Sequence, residues 1–258
     1  MRTNKLFNLG NALFDSGNVA DAETVFRAAA ELRDSDAAFN LGNLFKVSGK
    51  TKKALIWWAR AGKAGVTEAF YNLGSALEDR GDLVAAKDAY TEGIAGGDPK
   101  CAYALAWMEK LDKNDDEAMR LMNIVVDSDD PTMQVEAAGV IGVWRFDQGY
   151  RDEFTESLLV RGFALYPSAA PTLCRLWADQ GRFLLARLTL ESLLDTNVEA
   201  AVPLGNLLLK QFDDIEGARA AFKSGQARGD TYAAENLEHL ELGRSIAHNG
   251  PTGFLERE

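Results

Sequence analysis

Carboxamide side chains recur at a fixed interval in the first part of the 258-residue chain. Asn8, Asn40 and Asn72 are equally spaced, and Asn11 and Asn43 form a second column with the same interval. A carboxamide carries both hydrogen-bond donors and acceptors, so a column of them can pair with successive backbone amides of an extended peptide. The same groups can instead hydrogen-bond to one another between neighbouring segments. The spacing is consistent with both roles.

Aromatic residues accompany these amides at the same interval. The residues that stand directly before the first amide column, and at its equivalent in a fourth segment, are Phe7, Phe39, Tyr71 and Tyr103. Trp107 occupies the position of the second amide column in that fourth segment. Such rings supply apolar contact area beside the polar amides. The two features together favour binding of a peptide over chemistry performed on a substrate.

Residues suited to catalysis or cofactor binding are scarce. The chain has two histidines, His239 and His248, and two cysteines, Cys101 and Cys174. It contains no Gly-rich phosphate loop, no G-x-S-x-G elbow and no H-E-x-x-H motif. The sequence therefore predicts a protein that is not an enzyme and has no cofactor. We expect both cysteines to be small buried residues.

An acidic run at residues 112–116 begins like a calcium-binding loop, with the pattern D-x-N-x-D. Glu117 stands where that loop needs glycine, and Asn123 stands where it needs a bidentate glutamate. No metal site is therefore expected. Asp115 and Asp116 are instead predicted to stabilise the start of a helix.

The charge of the chain argues against nucleic acid as a partner. The formal net charge is −11, and phosphate binding is mainly electrostatic. One stretch between Asp36 and Glu68 lacks acidic residues, and its basic residues are Lys46, Lys50, Lys52, Lys53, Arg60 and Lys63. Lys46 is the one expected near the amide columns. This stretch is interpreted either as a docking patch for an anionic group or as a solvated edge.

The N-terminal residues 1–17 are typical of an amphipathic helix and lack the apolar core of a signal peptide. No uncharged window approaches the roughly 18 apolar residues that a membrane-spanning helix needs. The expectation is therefore a cytoplasmic protein that makes no use of a membrane, with reduced thiols.

A repeat positions all these residues. Its glycines, alanines and aromatics recur at one constant interval in the sets Gly10, Gly42 and Gly74, then Gly17, Gly49 and Gly81, then Ala22, Ala54 and Ala86, and finally Phe26, Trp58 and Tyr90. Apolar residues within each repeat follow helical spacing, which predicts a pair of helices joined by a glycine-containing turn. A glycine within a helix costs about 1 kcal/mol relative to alanine. We therefore expect Gly42 to permit close contact between its helix and Ala54 on the next.

The run AFNLGNLF from Ala38, followed by Ala54, Trp58 and Ala61, resembles the tetratricopeptide repeat. The joints ARAGKAGVTEAFYNLG and TEGIAGGDPKCAYALA are similar to the related Sel1-like repeat. The resemblance implies an all-α fold, a right-handed α-solenoid of about seven helix-turn-helix repeats plus a C-terminal capping helix. We expect the repeat domain at 1–247, its last helix at roughly 231–247, and a tail at 248–258.

The resemblance also implies a function, because residues beside the L-G pair of each first helix line the binding groove of such repeats. We therefore predict a protein–protein interaction module that holds an extended peptide of a partner in its concave groove. The predicted peptide-binding residues are Asn8, Asn11, Phe39, Asn40, Asn43, Lys46, Tyr71, Asn72, Tyr103 and Trp107.

The alternative is a structural scaffold that forms homo-oligomers or joins a larger complex. Its contacts would be made by the termini or by the irregular fifth repeat, where Phe154 and Arg161 stand at positions expected to hold small residues. This hypothesis places Trp144 and Phe146 on an exposed surface of that repeat.

Overall fold

The computed structural model describes residues 2–245, except for the side chains of residues 2–4. These residues form fifteen α-helices and one short 3-10 helix, with no β-strand in this part of the chain. The predicted all-α helical-repeat fold is therefore confirmed. The predicted tail at 248–258 and His248 lie outside the described residues.

The chain divides into two compact units, Met1–Val125 and Val126–Glu258. The helices of unit 1 are α1 (Arg2–Asp15), α2 (Val19–Glu31), α3 (Ser35–Val47), α4 (Thr51–Lys63), α5 (Glu68–Glu78), α6 (Leu83–Ala95), α7 (Pro99–Leu111) and α8 (Asp115–Val126). The helices of unit 2 are α9 (Pro131–Asp147), α10 (Glu153–Gly162), α11 (Ala169–Asp179), α12 (Phe183–Leu193), α13 (Ala201–Phe212), α14 (Ile215–Ala227) and α15 (Thr231–Glu241), with the 3-10 turn Val198–Ala200 before α13.

Helices pack in consecutive pairs within each unit. In unit 1, α1 packs on α2, α3 on α4 and α5 on α6, and each pair contacts the next through α2–α3, α4–α5 and α6–α7. The first helices of neighbouring pairs also touch, as in α1–α3 and α5–α7. In unit 2 the same arrangement joins α9–α10, α11–α12 and α13–α14, while α11 and α15 both contact α13. Successive first helices therefore share a face in each unit.

Aspartate side chains begin many of these helices. In each case the carboxylate accepts a hydrogen bond from a backbone N–H of the first turn, which satisfies a donor that the helix itself leaves unpaired. These N-cap residues are Asp34, Asp82, Asp98, Asp130, Asp152, Asp214 and Asp230. Asp115 and Asp116 lie in the first turn of α8, where their negative charges interact favourably with the helix macrodipole.

The glycines of the repeat make room for aromatic rings. A β-carbon added at Gly42 would lie 2.5 Å from the indole of Trp58, and one at Gly10 would lie 2.5 Å from the ring of Phe26. Gly74 stands equally close to Tyr90. The nearest neighbour of Gly42 across the helix pair is therefore Trp58 and not the expected Ala54, because the three atoms nearest to such a β-carbon all belong to Trp58.

In the divergent repeats, the residue that replaces the glycine is larger and the residue that replaces the aromatic ring is smaller. At the positions equivalent to Gly42 and Trp58, the fourth repeat has Ala106 and Met122, both fully buried. The sixth has Cys174 and Leu190, which are also buried. A larger residue on the first helix thus accompanies a smaller one on the second, as dense packing requires.

The fifth repeat packs in another way. Phe154 and Arg161, which the sequence places at small-residue positions, are exposed. The close approach of α9 and α10 occurs instead where Gly139 and Gly162 bring the two backbones together. This contact is too tight for any side chain at Gly162.

Trp144 and Phe146 do not form an exposed surface of that repeat. Each is only 3% exposed, so the expectation that they mark an interaction surface is wrong. The physical reason is that α9 is apolar on all its faces at residues 137–144, every one of which is buried. A helix of that kind lies inside a protein.

The last helix is shorter than expected. We predicted that it reaches residue 247, but α15 ends at Glu241. Gly243 adopts a left-handed backbone with φ of 65°, and the Arg244 N–H then donates to the His239 carbonyl at 2.8 Å. A left-handed glycine just after a helix commonly ends it in this way, because the next N–H can then bond back to a carbonyl of the last turn.

The three turns that join successive helix pairs after α2, α4 and α6 each contain a left-handed residue, and one of the three lacks glycine. Gly65 and Gly97 fill this position with φ of 102° and 87°. Arg33 occupies the equivalent position one repeat before Gly65 and adopts φ of 66°. A side chain in this region costs about 1–2 kcal/mol.

We expect Arg33→Gly to raise the free energy of unfolding by about 1 kcal/mol, because glycine adopts this conformation without strain. Urea-induced unfolding monitored by circular dichroism measures the change. Arg33→Ala is the control, since it removes the charge but keeps the β-carbon and should leave stability close to that of the wild type. An equal gain in both variants would show that charge, and not backbone strain, is responsible.

Candidate functional site

The predicted peptide-binding residues lie on successive first helices of unit 1. We call this surface the amide face, and its members by helix are Asn8 and Asn11 on α1, Phe39, Asn40, Asn43 and Lys46 on α3, Tyr71 and Asn72 on α5, and Tyr103 and Trp107 on α7. The repeat brings equivalent positions to the same side of each helix, since the interval between them is constant.

Hydrogen bonds join the two amide columns from one repeat to the next. The Asn40 Nδ2 group donates to Asn11 Oδ1 at 2.8 Å, and the Asn72 Nδ2 group donates to Asn43 Oδ1 at 3.1 Å. Each bond links two neighbouring first helices. Bridging between repeats, which the sequence left open as one role of these amides, is therefore present in the structure.

Asn43 has a second structural contact. Its Oδ1 also accepts the indole N–H of Trp58 at 2.9 Å. Trp58 is 3% exposed and lies on α4, so one amide oxygen ties its own helix pair together and also holds the next repeat. Asn43 is consequently the centre of a small polar network between α3, α4 and α5.

The amides retain further hydrogen-bonding capacity. A carboxamide has two N–H donors and two acceptor lone pairs, and the bonds above occupy one donor of Asn40 and one of Asn72. Both side chains are only partly buried, and Asn8 is exposed. The backbone of a bound peptide could therefore pair with the amide donors and acceptors that the inter-repeat hydrogen bonds do not use.

The aromatic rings of the amide face are partly exposed, and two of them also contact another ring. Phe39, Tyr71 and Tyr103 are all half-buried. Tyr71 lies 6.2 Å from the ring of Tyr90, and Tyr103 meets Trp107 edge-on at 6.3 Å between centroids. Burial raises the pKa of the Tyr71 hydroxyl, with smaller contributions from Cys101, Glu78 and Asp98, so this hydroxyl stays a neutral donor at physiological pH.

The basic residues near this face are paired with acids. Lys46 Nζ lies 2.8 Å from Asp79 Oδ2, and Lys50 Nζ lies 3.3 Å from Glu23 Oε2. Both lysine side chains are more than 40% exposed, and exposed pairs of this kind hold weakly. Lys46 can therefore exchange Asp79 for another acid at little energetic cost.

The described part of the chain has no cluster of side chains suited to metal binding, and its cysteines are not suited to thiol chemistry. Within it, no group of three or more His, Cys, Asp or Glu side chains could hold a metal ion. Cys101 and Cys174 are free thiols, and both are buried, as predicted. Burial raises the pKa of the Cys174 thiol to about 12, which leaves almost no reactive thiolate at neutral pH.

Unit 2 contains a second candidate site that sequence reasoning missed. A cavity of about 330 Å³ lies among α11, α12, α13 and the end of α9, with Arg175 in its wall. The repeat register could have indicated it, because Arg175 follows Cys174 as Asn43 follows Gly42. The second amide column thus continues into unit 2 as an arginine.

The comparisons with known proteins agree with this geometry. The family model described as the tetratricopeptide repeat matches residues 6–36, which include most of α1 and all of α2. The first helix pair therefore matches the tetratricopeptide repeat model. No curated protein matches the chain.

Solved structures extend the likeness over most of the chain. A tetratricopeptide repeat protein from Parabacteroides merdae is 16% identical, with a TM-score of 0.52 over 93% of this chain and 98% of that one. A Sel1 repeat protein from Oxalobacter formigenes is 18% identical, with a TM-score of 0.57 over 84% of this chain and 99% of that one. At these identities the likeness concerns the fold, and the resemblance to both kinds of repeat is confirmed. Through residue 245, the described helices include none with the length and apolar character needed to cross a bilayer.

Proposed function

We propose that this chain is a protein–protein interaction module that holds an extended segment of a partner along the amide face of unit 1. Helical-repeat proteins use the extended surfaces of their stacked repeats for binding. The tetratricopeptide repeat at residues 6–36 and the fold shared with Sel1 repeat proteins support this general role. The partner we propose is a protein or peptide, since a net charge of −11 disfavours nucleic acid.

The observation that carries the proposal is the linked row of amides on neighbouring first helices. The bonds Asn40–Asn11 and Asn72–Asn43 hold the side chains in fixed orientations, so they need no ordering when a ligand binds. Half-buried rings lie one residue before each amide of the first column. An extended chain could therefore pair its backbone with the amides and lay apolar side chains on the rings.

The test is a peptide selection followed by a paired substitution. Random dodecapeptides are selected on the wild-type protein, and their affinities are then measured for the Asn40→Ala/Asn72→Ala double variant. We expect the dissociation constant to rise about tenfold or more, because each lost backbone contact contributes about 1 kcal/mol. Circular dichroism confirms that the double variant remains helical.

Asn123→Ala is the matched control, because Asn123 lies on the second helix α8 and its amide donates to the Met119 carbonyl of the same helix. Its affinity should equal that of the wild type. Selected peptides that bind the double variant as tightly as the wild type would contradict the proposal. A selection that yields no binding peptide would contradict it as well.

A scaffold role is also supported by an exposed apolar surface, which lies on the sixth repeat and not on the fifth repeat or the termini where the sequence placed it. The second helix α12 exposes Leu184, Leu185 and Leu188, at 63%, 41% and 56%. Three apolar side chains on one exposed helix could form a contact between copies of the chain. Light scattering tests this directly: a concentration-dependent dimer that Leu188→Glu abolishes would support it, and a monomer at all concentrations would contradict it.

A further inference from the structure

The cavity in unit 2 shares no residue with the amide face. Polar and apolar residues line it in similar measure, and the apolar members are Phe146, Cys174, Ala178, Phe183, Leu190, Pro203 and Leu207. Its volume of about 330 Å³ falls at the lower end of the range typical of small-molecule sites. Such a space suits a compact organic molecule better than a folded partner.

Cationic side chains predominate in the lining. Arg151, Arg175 and Lys210 border the cavity, and Asp179 is the carboxylate among its lining residues. Asp179 is engaged by Arg151, whose Nε lies 2.6 Å from its Oδ2. Arg151 is fixed further by a hydrogen bond of 2.6 Å to the Phe146 carbonyl and by stacking on that ring at 3.5 Å. Asp179 is therefore in contact with Arg151 and acts on Arg175 only at longer range.

Arg175 has an apolar neighbour but no acid in contact with it. Its guanidinium lies 4.8 Å from the centroid of the Phe146 ring. Among residues 5–245, no carboxylate oxygen lies within ion-pair distance of the guanidinium. Asp147 and Asp179 act on it only through longer-range electrostatics, and Arg151 opposes them.

Arg175 is only partly exposed, and the partial burial of its charge works against the folded state. Desolvation lowers the pKa of Arg175, which means that the protein environment disfavours the guanidinium that is present at neutral pH. An arginine cannot escape the penalty by losing its proton, because its pKa remains far above neutrality. A charged side chain kept at such a cost is typical of a binding site.

We propose that unit 2 binds a small organic carboxylate in this cavity, with its carboxylate on the Arg175 guanidinium and its apolar body against Phe183, Leu190 and Leu207. The planar guanidinium matches a carboxylate with two parallel hydrogen bonds. A guanidinium without an acid in ion-pair contact suits a carboxylate, and the apolar residues of the lining suit a hydrocarbon or aromatic body. The site is independent of the peptide-binding function proposed for unit 1.

Calorimetric titration of the full chain with phenylacetate, phenylacetamide and inorganic phosphate tests the proposal. We expect phenylacetate to bind and the neutral amide, which has the same shape, to bind about tenfold more weakly or not at all. Arg175→Gln should weaken phenylacetate binding by about tenfold or more. Arg219→Gln is the matched control, because it removes an equal charge from α14, where Arg219 pairs with the exposed Glu216 outside the cavity.

Thermal unfolding provides a second readout that does not depend on the Gln variant. Without ligand, Arg175→Met should raise the melting midpoint, because a partly buried charge is replaced by a flexible apolar chain. Phenylacetate should raise the midpoint of the wild type and leave that of Arg175→Met unchanged.

Several results would overturn the proposal. They are equal binding of the acid and the amide, phenylacetate binding that survives Arg175→Gln, and no phenylacetate binding at concentrations up to about 10 mM. Binding of phosphate alone would indicate an unselective cation and would also overturn it. The Asn40→Ala/Asn72→Ala variant should bind phenylacetate normally, so failure of this proposal and failure of the peptide proposal are distinguishable.

Discussion

Gly42→Ala is expected to lower the free energy of unfolding by about 2 kcal/mol, although alanine is the better helix former by about 1 kcal/mol. The added β-carbon would lie 2.5 Å from the Trp58 indole, which is buried at 3% exposure and held by its hydrogen bond to Asn43. The rigid ring cannot move away without breaking that bond. Urea-induced unfolding of the two proteins measures the difference.

The fourth repeat offers the mirror control. Ala106→Gly makes the reverse exchange beside Met122, and it should also destabilise the protein, by about 2 kcal/mol, because it removes a buried methyl group and lowers helix propensity. Both exchanges are then unfavourable for opposite reasons. If Gly42→Ala stabilised the protein instead, the contact with Trp58 would not be what keeps glycine at this position.

Asn43→Ala should lower the free energy of unfolding by about 2–3 kcal/mol, because two donors lose their acceptor at once. The donors are the buried Trp58 indole N–H and the Asn72 amide, at 2.9 and 3.1 Å from Asn43 Oδ1. The loss in unfolding free energy should exceed that of Asn11→Ala, since Asn11 accepts one hydrogen bond, from Asn40. Chemical denaturation of the two variants under identical conditions compares them.

Asn43→Asp distinguishes the lost acceptor from the lost amide. A carboxylate has the same shape and can accept both hydrogen bonds, so this variant should keep most of the stability at pH 7. Equal destabilisation by alanine and aspartate would contradict the role of Asn43 as a shared acceptor.

The helix pairs and their turns could be predicted from the sequence, because their determinants are local. Glycines at a constant interval and helical apolar spacing identify the turns and the buried faces without knowledge of tertiary contacts. The partner of Gly42 could not be identified in this way. Ala54 and Trp58 lie one turn apart on the same helical face, and only the packed structure shows that the longer side chain reaches the glycine.

Residues of unit 2 were harder to interpret for a related reason. Trp144 and Phe146 belong to an irregular repeat, and the burial of α9 on all sides depends on the helices packed around it. Arg175 carries no local sign of burial, since arginine is mostly a surface residue. Its place in a cavity results from α9, α11 and α13 together. For the amides of unit 1 the sequence left peptide binding and hydrogen bonding between repeats as alternatives, and the structure shows which amides are bonded to each other.

The exchange of size between facing residues restricts how such repeats can diverge during evolution. A lineage that passes from the glycine–tryptophan pair Gly42 and Trp58 to an alanine–methionine pair like Ala106 and Met122 must change two positions that lie on different helices. Either change made first produces an overfilled or a hollow intermediate, which selection tends to remove. Substitutions at the two positions of one repeat should therefore covary among descendants. The equivalent positions of the neighbouring repeats can change independently of that pair.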